Sequence, residues 1–496
     1  MNIRKVVAVG CLAAGAGLAA GCGTEIIDPV PPVPVVPIVV PIATSFKAVP
    51  PESPDNVLSA QIIFDVATAP DSIRISYQGT GGNVLYSPAR PGHVGTDTIT
   101  LLGLKPAATY SYLATSYKGG VAKNSESASF TTSPLPADLV GFRLEVISGS
   151  TALYTATATQ ANNSSAYAVI FDPTGAIAWY HHFETDGLQV SNVVMQPNGN
   201  ITAFIGNTNG FQPLPGYYVE VTPQGKEIRK YEAPAGYYMD DHEFRLSETG
   251  ANMKASFFTF DMHETDLTSL GGSESVQLAG HQLVRRSVTG GPEFVWSAWD
   301  NIGIDEWVGD EGAKATRDPT DFDHPNAFSF DLNGNYLVSW RNLDQITDID
   351  ASTGKVLWRI GGAKGDYTFV GDPDNGFKKQ HSPKILSNGN LLVYDNGTGK
   401  DDQETRAVEY KLDHAAKTAT MVWEYRHTPA IYTPFVGCVD RLTTGDTWVA
   451  FALAGRIVEV SPDGAVVWES QLKVGDKNGT VYRLVPLASL YGYSAP

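Results

Sequence analysis

A chain of 496 residues with 49 glycines, 31 prolines, 10% aromatic side chains and a formal charge of −18 has room for more than one core. The acidity excludes nucleic acid as a partner, because a phosphate backbone calls for a basic surface, and it equally excludes a polybasic footprint on a membrane. Abundant turn formers with few long helical periods point to an all-β protein.

Residues 1–22 read as a targeting segment: Arg4 and Lys5, then an apolar run from Val6 to Ala20, then a processing site at Gly21-Cys22. The run is too short for a transmembrane anchor. Ala19-Ala20-Gly21-Cys22 resembles a bacterial lipobox, in which Cys22 becomes the lipidated first residue. Ala19 stands where leucine is usual, so simple secretion with a nearby cut is the alternative. The expectation is an exported protein, periplasmic or at the cell surface, held to a membrane through an N-terminal lipid. Cys438 is then the one cysteine left, no intrachain disulfide can form, and the thiol reads as a small buried hydrophobe. Residues 23–43 are proline-dense and form a stiff spacer.

Residues 44–133 carry short alternating runs separated by turn residues. The stretch Leu101 to Tyr112 (LLGLKPAATYSY) resembles the tyrosine corner of fibronectin type III domains, with Tyr110 as the corner residue. A small fibronectin type III-like β-sandwich is expected there, as a spacer or docking module.

Residues 134–496 repeat. A turn followed by an aromatic-ended strand recurs at Trp179, Tyr231, Trp296, Trp358, Trp423 and Trp468. A second turn is interleaved with it: Asn198-Gly199-Asn200, Glu248-Thr249-Gly250, Asn333-Gly334-Asn335, Asn388-Gly389-Asn390 and Thr444-Gly445-Asp446. Two hairpin turns per roughly 45–65 residues match one four-stranded propeller blade, so a six-bladed β-propeller is expected. The first blade lacks an obvious inner hairpin and needs Gly141 to Gln160 and the C-terminal stretch to complete it. Two long insertions, Asp261 to Gln277 and Asn301 to Thr320, read as loops that cover a site. The acidic loops Gly371 to Gly376 and Lys400 to Glu404 read as solvated, since they lack calcium-ligand spacing.

The inner turns act as a ruler. His324 precedes Gly334 by ten residues and Arg341 follows it by seven, so the hairpin carries both to one rim. His381 and His242 each precede their turn glycine by eight, and Cys438 by seven. Three histidines and an arginine therefore converge at the channel mouth. Three imidazoles can hold zinc, but the permanent charge of Arg341 repels a cation and favours an oxyanion. Neither metal nor cofactor is expected.

Asp323-His324-Pro325-Asn326 with SFDLNGNYLVSWRN, and QHSPKILSNGNLLVYDNG from Gln380 to Gly397, resemble the bacterial aryl-sulfate sulfotransferases. DDHEFRLSETG and YRLVPLASLYG are similar to that family as well, and the resemblance spans roughly residues 140–496. It implies transfer of a sulfuryl group from a phenolic sulfate ester to a phenolic acceptor without a nucleotide donor. It further implies His381 as the nucleophile that forms a sulfohistidine, Arg341 as the clamp on the sulfonate, and His242, His324 and Asn326 around the transferring group. The family often carries His-His-Asp where this chain has Asp241-His242-Glu243, and a small hydroxyl residue where it has Cys438. Two other functions fit the same letters: a non-catalytic propeller binding a protein or glycan at the channel mouth, and a hydrolase with water as acceptor.

Overall fold

A computed structural model describes residues 40, 42–207, 214–248, 250–307 and 320–492. The targeting segment, Cys22 and nearly all of the proline-rich spacer lie outside the described residues, as do 308–319 of the second long insertion. From Val40 onward the chain forms one unit, and almost every element in it is a strand.

Six sheets follow one another along the chain, each built on four antiparallel strands, and the third, fifth and sixth carry extra strands. Each aromatic that ends a repeat lies on the fourth strand of its sheet: Trp179 on Ile177–Glu184, Tyr231 on Glu227–Glu232, Trp296 on Pro292–Ser297, Trp358 on Val356–Gly361, Trp423 on Thr418–Arg426 and Trp468 on Val466–Val474. Each Asn-Gly-Asn turn joins the first strand to the second. Gly334 and Gly389 both have φ near +84°, a conformation that a Cβ would strain.

Apolar residues on both faces of each sheet are buried in cores shared with the next one. Ile170 and Trp179 pack with Val193 and Val219, Tyr231 with Phe244, and Trp296 with Trp340. Trp358 packs with Val393, Tyr425 with Val439, and Trp468 with Tyr167 of the first sheet. The succession of cores closes on itself, so the sheets are the blades of a propeller. Trp358 is therefore a packing residue.

Closure is made from both ends of the chain. Val485–Leu487 pairs with Tyr154–Asn162 and supplies the innermost strand of blade one. Phe142–Gly149 pairs with Val466–Val474 and caps the outer edge of blade six instead of joining blade one. Both edges that would otherwise be open are thereby paired.

Residues before blade one fold as a sandwich of a three-stranded and a five-stranded sheet around Phe64, Ile75, Leu101 and Phe130. The Tyr110 hydroxyl accepts the Lys105 N–H at 2.8 Å, the contact a tyrosine corner makes. This sandwich is seated on blade one: the Val57 N–H donates to the Tyr180 hydroxyl at 3.1 Å, and the Leu102 N–H to Tyr491 at 2.9 Å.

Two expectations about loops are corrected in part. The Asp261 to Gln277 insertion is the end of a long hairpin: Lys254–Thr265 and Val276–Ser287 pair in unbroken register from Lys254↔Ser287 to Thr265↔Val276, because alternation in the flanking segments continues into it, and only residues 266–275 form the connecting loop. None of its residues lines the cavity described below. The acidic loops are solvated only in part: Asp401, Asp402 and Gln403 are exposed, while Asp372, Asp374 and Glu404 are partly buried. Asp372, Asp374, Asp402 and Glu404 are ion-paired to Arg406, Arg426 or Lys400.

Candidate active site

The innermost strands are irregular where they reach one rim of the channel. Their pairing slips between Ser191 and Val194, Met239 and Phe244, Pro325 and Ala327, and His381 and Lys384. Asn192, His324 and Ser382 have positive φ. Bulges of this kind break the two-residue period and re-aim side chains. Here they bring His242, His324, Arg341 and His381 to the wall of one cavity of about 820 Å³. Phe435, Leu453 and the C-terminal segment through Tyr482 and Arg483 form other parts of that wall.

The ruler was right about convergence and wrong about equivalence. Asn326 stands five residues before Asp331, where the inner turn of blade four opens, and His381 stands five before Leu386, the same point in blade five. Asn326 thus holds the register of His381, and His324 reaches the rim from two residues earlier, at φ 44°. Asn326 does not line the cavity. Its amide donates to the Gln380 carbonyl at 2.6 Å, bracing the backbone just before His381. Cys438 also lies away from this cavity. It is buried along the narrow channel below, among residues from all six innermost strands, with its thiol facing the Leu484 carbonyl.

His381 has its Nδ1 2.6 Å from the Asn396 side-chain oxygen. The Asn396 amide nitrogen donates to the carbonyls of Thr433 and Val436 at 2.7 and 3.1 Å, so the amide can face His381 only with its oxygen. Nδ1 must then carry the proton, which leaves the lone pair on Nε2. Burial, then the charge of Arg341, pushes the His381 imidazole well below its ordinary value, against the Asn396 bond. Asn396 was not singled out from the sequence, although it sits inside the quoted Asp-Asn-Gly motif.

Arg341 donates to the Asn342 side chain at 3.0 Å and to the Pro434 carbonyl at 3.4 Å, and its backbone N–H donates to the His324 carbonyl. Nearby, Asp323 pairs with His281 and Asp344 with Lys379.

His242 and His324 meet edge to face, with ring centroids 4.6 Å apart. His242 Nδ1 lies 3.0 Å from both oxygens of Asp240 and 3.7 Å from Asp241. His324 Nδ1 lies 2.6 Å from Asp321. Their environments push them apart. Burial disfavours the charge on His242, but Asp240 and Asp241 outweigh it and raise its pKa. Burial, then repulsion from His242 and Arg341, drives His324 well down. Burial lifts Asp241 and Asp321 to about 6. Two His/Asp clusters, Asp240–Asp241–His242 and His281–Asp321–Asp323, have the spacing of metal ligands. In both, a carboxylate already accepts hydrogen bonds from an imidazole and from a backbone N–H.

A propeller whose channel mouth gathers a neutral imidazole, a guanidinium and a carboxylate-backed imidazole has the groups that hold an oxyanion and move a proton. The arylsulfotransferase (ASST) family model matches residues 217–473, more than half of the chain, and the chain belongs to that family. No curated protein matches it. Among solved structures, a Bacteroides caccae protein of unknown function is 17% identical, covering 68% of this chain and 99% of its own, with a TM-score of 0.40. A Bacteroides thetaiotaomicron protein of unknown function is 13% identical over 88% and 98%, with a TM-score of 0.31. Virginiamycin B lyase from Staphylococcus aureus is 12% identical over 57% and 73%, with a TM-score of 0.28.

Proposed function

We propose that this sulfotransferase moves a sulfuryl group from a phenolic sulfate ester to a phenolic acceptor through a sulfohistidine on His381, without a nucleotide sulfate donor. The observation that carries the reading is the pairing of His381 with Asn396, beside Arg341. A sulfate monoester is anionic and a poor electrophile, so the nucleophile should be uncharged and the anion's oxygens should meet a preorganised cation. His381 Nε2 attacks sulfur, the S–O(aryl) bond breaks, and the departing phenoxide takes a proton from His242. Arg341 and His324 face the sulfonate oxygens. In the second half the acceptor phenol returns a proton to His242, its oxygen attacks sulfur, and the S–N bond breaks to restore His381. Asn326 acts through the backbone ahead of His381, without contacting substrate.

Brief exposure to 4-nitrophenyl sulfate should add the mass of one sulfuryl group to the His381 peptide, and added phenol should remove it. Nitrophenol released at the same rate with and without phenol would favour a hydrolase. No release at all would favour the non-catalytic binding reading.

We also propose that Cys22 is lipidated and anchors an exported enzyme to a membrane. Labelling with a fatty-acid analogue should mark the wild type and not Cys22→Ala. An unlabelled wild type recovered in the soluble fraction would support plain secretion.

A further inference from the structure

The transfer scheme leaves out His281, the most deeply buried of the imidazoles around the site at 1% exposure. It lies on Val276–Ser287, the third strand of blade three, and does not line the cavity. Its Nδ1 sits 2.6 Å from Asp323 Oδ1, and its backbone N–H donates to Asp323 Oδ2 at 3.0 Å. Nε2, at the other end of the ring, is 3.7 Å from Asp240 Oδ2, and Asp321 lies 4.0 Å from Nδ1. The Phe260 ring lies against it at 4.5 Å. Asp240 is the carboxylate that holds His242. It therefore stands between two imidazoles, one in the cavity wall and one behind it.

We propose that His281 is a positioning residue: a cation clamped by Asp323 behind the site, which holds Asp240 ionised and limits how tightly His242 keeps its proton. The proposal rests on His242 as the proton carrier of the transfer scheme. An acid that must both release and recover a proton works best when its affinity lies near the working pH. Asp240 and Asp241 alone would bind the His242 proton too firmly, and a buried positive charge on the far side of Asp240 offsets them. Burial opposes a charge on His281, but Asp323, Asp321 and Asp240 outweigh it and bring its pKa to about 9. The other groups facing His242 are His324 and Arg341 from blade four and His381 from blade five. Tyr482 and Arg483 face it from the C-terminal segment. All are the same in the variants below.

The test is His281→Asn in the full chain, read by NMR of ring-labelled histidines and by the pH profile of transfer. Removing the cation should raise the His242 titration midpoint by about one pH unit, and the alkaline limb of transfer from phenyl sulfate, whose leaving group needs a proton, should rise with it. Below that midpoint, return of the acceptor's proton should slow about tenfold. A merely structural role would lower rates at every pH and leave the limb in place, and that result overturns the proposal. Should His281→Asn fail to fold, Asp323→Asn reads the clamp directly: the His281 midpoint should fall by two units or more, and an unchanged midpoint also overturns the proposal. A wild type that moves no sulfuryl group sinks the transfer reading alone, since the NMR midpoints still report whether His281 governs His242.

Discussion

In blade five the Arg406 guanidinium is wholly buried and places its five N–H groups on Asp395, Asp372, Glu424 and the Gly376 carbonyl at 2.9–3.0 Å. At the channel mouth His242, His281 and His324 are buried comparably and share Asp240, Asp241, Asp321 and Asp323. Burial pushes Asp372 up, but Arg406 and Tyr410 outweigh it and hold it at about 2. Burial displaces three acids of the mouth the other way, Asp241 and Asp321 to about 6 and Asp323 upward, while for Asp240 burial is outweighed by His242 and His281, which lower it. The ingredients are alike, and the geometry decides. A planar fork that meets an acceptor at every donor makes an ionic lock. Crowded acids facing imidazoles sit close to their protonation boundaries, which is what proton transfer needs.

Substitutions sharpen that contrast. The largest effect belongs to His381→Asn, which should abolish sulfuryl transfer, by about 10⁴-fold in kcat, with no labelled peptide. Arg341→Lys keeps the charge but loses the planar fork, and kcat should fall about 10³-fold while the fold stays intact by circular dichroism. Asn396→Ala frees the His381 ring and should cost about a hundredfold. Asn396→Asp should behave differently from Asn396→Ala. A carboxylate facing Nδ1 raises the His381 pKa, so activity lost at neutral pH should return as pH rises, and a flat profile would refute the assigned tautomer. The smallest effect on chemistry belongs to Arg406→Ala. Breaking the lock should cost about 3–5 kcal/mol in denaturant unfolding and leave kcat per folded molecule within about twofold.

Much of the propeller was legible because two features of the chain repeat with it: an aromatic on the last strand of each blade and a glycine turn on the first. Sandwich packing could be read for the same reason, from alternation and the Tyr110 corner. The site was legible only in part. His242, His324, Arg341 and His381 stand out as residues near strand ends, but bulges break the period on which any ruler depends, so in the sequence Asn326 looks like a ligand and His324 like an equivalent of His381. Asp240, Asp321 and Asp323 stand beside the histidines in sequence, where they look like ordinary rim acids. Their burial is a property of the ring. His281 left one trace, a histidine flanked by Ala279 and Leu283 on a strand whose neighbours are core, and a polar residue in that setting merits a search for its partner. The ends of the Asp261 to Gln277 stretch misled, because their composition is that of the loop at 266–275 while their register is that of the hairpin.

Because Val485–Leu487 completes blade one and Tyr482 and Arg483 line the cavity just before it, ring and pocket are finished by the same few residues. In vectorial synthesis these leave the ribosome among the last described. A nascent chain that has already made His242, Arg341 and His381 therefore still lacks part of the cavity wall and the innermost strand of blade one.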